Sequence, residues 1–474
     1  MEEPNARPHT ASDTAQLRLT SLTPELKCAV FASLPDVTST KSLALVSSSF
    51  YYTFLDAQSL ILSQVLQNEI PTDLMHGAFA AYNASRIPVW TKQAVQDFLV
   101  EYFGNSVPHK AQKWNLSEAL RMSKFHSCVE FFATEFASSA LSKNPTTRGS
   151  NAAPSFTEVI RIKRTIYRFE LYCNLFRKPS YHRMIRGARN CLIQPRPFGA
   201  TEQREIFFDL FSPWENEQLG CIYDYLVGEI TVPFNDVAEH DVDWGELSIP
   251  WVDTFGSSEI WYKERYLLVG LDFIFQLSTA STYDDRHRLL KSDQVSGESF
   301  LSDAMIPPRL LQHDGVPLEE DSDEEKRTLV SPHFNDDNDS GPTEAWRWAH
   351  AECSKDRFYF LEDHRWFRQR GYVMWDLARL LEWEFFALPV QALAAERLPG
   401  YSGCLEQQAE MDRLKVSWKK RSRIWGKGGT GWWAPGDESH IQWPRRYQNP
   451  QVPSTQKYTM ALPKILKAAP KSSG

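Results

Sequence analysis

His126 and Cys128 lie two residues apart in this chain, and His350 and Cys353 three apart, the second pair on one face of any helix that carries it. Imidazole and thiolate are zinc ligands, but zinc needs three or four converging donors, and the sequence has neither HExxH nor CxxC. Both pairs are therefore read as structural or solvent-exposed, with no metal. Cys128, Cys173, Cys191 and Cys221 sit among apolar or aromatic neighbours, the setting of inert thiols. No GxSxG elbow presents a serine nucleophile. Gly426-Lys427-Gly428-Gly429-Thr430-Gly431 has the composition of a phosphate loop without its Gly-x-x-x-x-Gly-Lys order, and is read as a flexible loop. Glu215 with Glu217, and Asp241 with Asp243, are carboxylate pairs of the kind that usually cap helices or face water; Trp244 is placed to orient one of them. The expectation is no catalytic residue and no cofactor.

Aromatic residues offer a different chemistry, recognition. Trp346, Trp348, Trp366, Trp375 and Trp383 are followed by Trp418, Trp425, Trp432, Trp433 and Trp443. Tryptophan fills helical cores and anchors interfaces. Trp375, in step with Ala378 and Leu381, reads as core. Trp432 and Trp433, in the Gly-rich loop, read as exposed candidates for target binding. Arg413 to Lys427 holds seven cations and reads as a solvated helix face, because the chain is acidic overall at −8. That balance argues against nucleic acid, which demands clustered phosphate contacts.

Helices must position these groups. Thr23 can cap a first helix, Pro24 suits its first position, and Glu25 suits its positive end. Leu26, Val30, Phe31 and Leu34 then form an apolar stripe, which Pro35 and Asp36 end. Leu43, Leu45 and Val46 make a second run, and Phe50, Phe54, Ile61, Leu62, Val65 and Leu66 continue helical patterning to Pro71. Ser155 with Glu158 spells a capping box. The helix it opens carries Arg161, Lys163, Arg164 and Arg168, expected mostly on its wet face. Residues 203–226 read as a helical pair broken at Ser212-Pro213, and 262–277 as a helix or a buried strand.

The order Leu22-Thr23-Pro24-Glu25-Leu26, Val30-Phe31-Ala32-Ser33-Leu34-Pro35, Leu43-Ala44-Leu45-Val46-Ser47-Ser48-Ser49-Phe50 resembles an F-box. This module docks a substrate adaptor onto the Skp subunit of a cullin-RING ubiquitin ligase. The resemblance implies that Leu22, Pro24, Glu25, Leu26, Val30, Phe31, Leu34, Pro35, Leu43, Leu45, Val46 and Phe50 supply the Skp contact and the module's own core; the motif does not divide the two sets. Arg168 to Phe176, Ser212 to Leu219 and Arg370 to Asp376 resemble stretches in a group of filamentous-fungal F-box proteins. In that group a large helical region follows the F-box. This likeness implies a fungal source and brings no substrate or activity.

The expected fold is mainly α, a small F-box-like module followed by a large helical domain with an acidic insertion. The boundaries are 1–16 disordered, 17–70 the module, 71–312 helical, 313–341 a solvated acidic insertion, 342–440 an aromatic-rich helical region packing on 71–312, and 441–474 a Pro/Lys-rich tail. Seven scattered cysteines fit a reducing compartment, cytoplasm or nucleus. No signal peptide, membrane span or repeat period is read. The expected partners are Skp, a cullin through it, and a protein target. The alternatives are a Skp-binding scaffold outside a ligase, and an enzyme of unrecognised type in the helical region.

Overall fold

The computed structural model describes residues 19–104, 113–144, 153–177, 198–246, 260–290, 301–305, 337–351, 365–387 and 403–444. The expected disordered N-terminus, Cys191, Cys353, most of the acidic insertion and most of the tail lie outside the described residues.

The described residues are almost entirely helical. Four short α-helices come first among the described residues: α1 (Pro24–Ala32), α2 (Val37–Ala44), α3 (Ser48–Asp56) and α4 (Gln58–Glu69). Then come α5 (Thr72–Ala84), α6 (Lys92–Gly104), α7 (Leu116–Ser142), α8 (Phe156–Phe176), α9 (Ala200–Ile206), α10 (Pro213–His240), α11 (Ile260–Leu267), α12 (Leu271–Ser278), α13 (Tyr283–Leu289) and α14 (Leu301–Met305). The last helices are α15 (Gly341–His350), α16 (Arg365–Gln369), α17 (Leu377–Glu382) and α18 (Gly403–Gly426). Two short antiparallel strands follow, β1 (Thr430–Gly431) and β2 (Ile441–Gln442).

Two long helices organise the body. α8 packs against α5, α7 and α10; α10 in turn carries α11, α12, α13, α15, α16 and α18. α2 and α4 lie on α7, so one apolar core runs from Phe31 in α1 to Leu414 in α18. A second, small core joins Val242, Ile424, Trp433 and Ile441.

Local chemistry explains the boundaries. The Ser155–Glu158 capping box is present, with the Glu158 carboxylate accepting from the Ser155 amide at 2.8 Å. A second box, Ser212 with Glu215, opens α10 behind Pro213. The 262–277 segment is two helices rather than one, because Gly270 breaks it at φ +100. A Cβ there would also meet the Glu170 carboxylate at 2.8 Å.

Several expectations are corrected. α8 is buried nearly all round, so Arg161, Lys163 and Arg168 are not on a wet face. Periodicity could not reveal this, because each cation is held by an acid distant in sequence. The end of the acidic segment, residues 337–341, is not a solvated insertion. Asp337 pairs with Arg161 at 2.6 Å, and Asp339 accepts from the Gly341 and Leu377 amides at 2.8 and 2.9 Å. The Gly-rich loop is an ordered turn: a Cβ on Gly431 would collide with the His440 carbonyl oxygen. Ile441 and Gln442, assigned to the tail, form its second strand. Trp433, expected on the surface, is buried in the small core, and Trp432 is half-buried against His240.

Candidate docking surface

Helices α1–α4 fold around three rings. Phe31 and Phe50 meet edge to face at 5.7 Å, and Phe54 lies 5.7 Å from Phe31. Lys27 is buried beside them and donates to the Ser49 hydroxyl at 2.6 Å, tying α1 to α3. Asn68 on α4 donates to the Ala32 and Leu34 carbonyl oxygens at 2.7 and 2.9 Å, satisfying the end of α1. Asp36 caps α2 by accepting from the Ser39 amide at 2.7 Å. Glu69 accepts from the Val37 amide and from the Ser123 hydroxyl, which joins α2, α4 and α7. Thr23 sits at the N-cap position but makes no cap hydrogen bond there. Its hydroxyl serves Glu25 instead; that carboxylate is held below its usual value by its own backbone amide first and by Thr23 second.

The motif residues separate into three groups. Phe31 and Phe50 are core. Leu22, Val30, Leu34 and Leu43 are half-buried. Pro24, Glu25, Leu26, Pro35, Leu45 and Val46 are exposed, with Leu26, Leu45 and Val46 open by 52%, 67% and 68%. Tyr51, Tyr52, Leu55 and Leu60 are exposed apolar groups of the same four helices. The motif does not mark these four. Their spacing against Phe50 and Phe54 on α3, and against Ile61 on α4, is the signal that places them on outer faces.

The interior of the body is rich in charge. Arg161 donates to Asp337 at 2.6 and 2.9 Å and to Asp376 at 3.2 Å. Arg168 pairs with Glu215 at 2.9 Å and lies 3.9 Å over the Phe211 ring. Arg368 lies 2.7 Å from Asp224 and 3.5 Å from Glu217. Arg379 meets Glu158 at 2.8 Å. Gln218 donates to the Val373 carbonyl at 3.1 Å, so the stretches 168–176, 212–219 and 370–376 converge on one centre. These buried acids are engaged by cations, and burial still pushes the Glu217 carboxyl up to about 7 against the pull of Arg368.

Of the two histidine–cysteine pairs, His126, Cys128 and His350 are described, and each is buried. His126 has Glu130 at 3.0 Å on one ring nitrogen and the Tyr167 hydroxyl on the other. Burial drives His350 down to about 3, so its imidazole stays neutral, with Nδ1 2.8 Å from the Trp346 carbonyl. Burial also pushes the Cys128 thiol up to about 11 and the Cys173 and Cys221 thiols well above their usual value. All three are free, buried and unreactive in this state.

A cleft of about 380 Å³ opens beside the N-terminal half of α8, with Phe156 exposed at it and Asp73, Arg164 and Asp337 among its walls. The basic segment on α18 is solvated as expected, except for buried Arg421, which donates to the Asp241 carbonyl at 2.8 Å. Among the described residues no helix is long and apolar enough to cross a membrane.

No protein-family model matches the chain, no curated protein matches it, and no solved structure matches it.

Proposed function

We propose that this chain is an F-box-type substrate adaptor, which docks through its first four helices onto the Skp subunit of a cullin-RING ubiquitin ligase. The observation that carries the reading is the exposure of Leu26, Leu45 and Val46 on a layer whose own core is already closed by Phe31, Phe50 and Phe54. Apolar side chains left in water add nothing to that core, and a partner that covers them gains roughly 25 cal/mol per Å² of apolar surface removed from water. The order Leu22-x-Pro24-Glu25-Leu26, which ends on the first of them, resembles the F-box pattern. In this reading the aromatic-rich body presents a protein target, and the cleft beside α8 has room for one of its side chains. The chain performs no chemistry itself. Free, unreactive thiols suit a cytoplasmic or nuclear setting.

Co-purification tests the proposal. Tagged full-length chain, expressed in a filamentous fungus, is expected to bring down Skp and cullin. Leu45→Glu with Val46→Glu removes both, because two charges cannot be desolvated in the contact. Wild-type chain that captures no Skp overturns the reading. Capture of Skp without cullin replaces the ligase adaptor with a scaffold.

A further inference from the structure

At the far end of α10, three potential ligands from three elements face one another. Asp241 follows the last residue of α10, Asp243 begins the turn Asp243–Glu246, and His287 lies on α13. One carboxylate oxygen from each aspartate and one ring nitrogen of His287 all lie within 4.8 Å of one another. His287 Nε2 is 3.1 Å from Asp241 Oδ2. Donors held by zinc at about 2.0–2.1 Å in a tetrahedron stand about 3.3–3.4 Å apart, so this edge already has the dimension required.

The carboxylates differ in what holds them. Asp241 is fully buried, and its Oδ1 accepts from the Trp244 amide at 2.8 Å. The Tyr283 hydroxyl donates to Oδ2. These outer contacts fix the orientation of the carboxylate, as is usual around metal ligands. Arg421 reaches the Asp241 main-chain oxygen at 2.8 Å and offsets one of the two negative charges. Asp243 is half-buried and has no hydrogen-bond partner among the described residues. Burial and then the Asp241 charge raise its pKa, while His287 lowers it. Asp243 stands beside a second acid, with a ring nitrogen of His287 within 4.8 Å of both carboxylates. His287 is 39% exposed, which leaves a path for entry and a position for water.

We propose that Asp241, Asp243 and His287 form a binding site for a divalent cation of the zinc class. The two oxygens and one nitrogen supply three positions of a tetrahedron, and water supplies the fourth. A modest rotation of Asp243 closes the set. The cation clamps α13 to the end of α10 and to the small second core beside it, where Val242 pairs with Gly431. This site is independent of the docking surface.

The test uses full-length chain stripped with EDTA and titrated with Zn²⁺ by calorimetry and with Co²⁺ by absorption spectroscopy. One Zn²⁺ per chain is expected, and Co²⁺ should give the visible bands of four-coordinate geometry. Loss of even a residue that only orients a ligand costs roughly tenfold or more in affinity, so Asp243→Asn and His287→Ala should each weaken Zn²⁺ by more than about tenfold. Both positions are partly exposed, and circular dichroism of the metal-free variants checks that they fold. No stoichiometric uptake by the wild-type chain overturns the site. Uptake that both substitutions leave unchanged also overturns it, because zinc then sits on other histidines and cysteines.

Discussion

In α1–α4, Leu26, Leu45, Val46 and Leu60 stand in water; in the centre built by α8 and α10, Arg161, Arg168, Glu217 and Arg368 stand out of it. The two regions depart from ordinary burial in opposite directions, and each departure has its own cost. Exposed apolar surface forgoes the gain of burial. Buried ions lose hydration and recover it only through well-made pairs. The pairs here join residues far apart in the chain, such as Arg161 with Asp337 and Arg379 with Glu158. They pin which segments meet, while the exposed leucines and valine pin nothing within the described residues. One region specifies the fold, and the other is where the proposed docking would occur.

Substitutions should separate the regions. The largest effect is expected at Arg368, because Arg368→Ala leaves Glu217 and Asp224 buried without their cation. Urea unfolding should show a loss of about 3–5 kcal/mol. A loss under about 1 kcal/mol would mean that the centre is wetter than the structure has it. Phe31→Ala comes next, at about 3 kcal/mol for a buried ring, with faster amide exchange concentrated in α1–α4. Uniform exchange across the body would merge the two regions into one cooperative unit.

Acidity sharpens the contrast. Burial holds the Glu170 carboxyl up at about 7 against an ordinary 4.5, although the Leu271 amide and Arg177 pull it down. The folded chain therefore keeps this proton after the unfolded chain has lost it. Stability from this group falls as pH rises from about 4.5 to about 7 and is level above that, with a slope of at most about 1.4 kcal/mol per pH unit. Glu170→Gln should flatten the slope in pH-dependent urea melts; an unchanged slope would assign it to other groups. The smallest effect on folding is expected at Leu45→Ser and Val46→Ser, within about 0.5 kcal/mol, as for surface positions. A larger loss would place them in the core.

Helices are legible in this sequence and the polar interior is not, for one physical reason. Caps and stripes are local: Ser155 and Glu158 are three residues apart, and Leu26 to Leu34 fall within about two turns. Ion pairing is not local. Arg161 and Arg168 look solvent-facing within their own helix, because Asp337 and Glu215 lie far beyond it. The same limit hides His287 from Asp241, 46 positions away, although the Asp241–Asp243 pair is visible. Trp433 reads as exposed because glycine neighbours suggest a loose loop, whereas Gly431 serves a close strand contact. The F-box-like order is readable as a pattern; which residues face outward requires the packing of Phe31 on Phe50.

The most direct measurement is binding of purified Skp subunit to the full-length chain and to two variants matched for region, by calorimetry. Tight one-to-one binding is expected of the wild-type chain. Leu45→Glu with Val46→Glu should abolish binding at unchanged melting temperature, and the body variant Lys420→Glu should bind like wild type. No binding by folded wild-type chain, or equal binding by the Leu45 and Val46 variant, would contradict it.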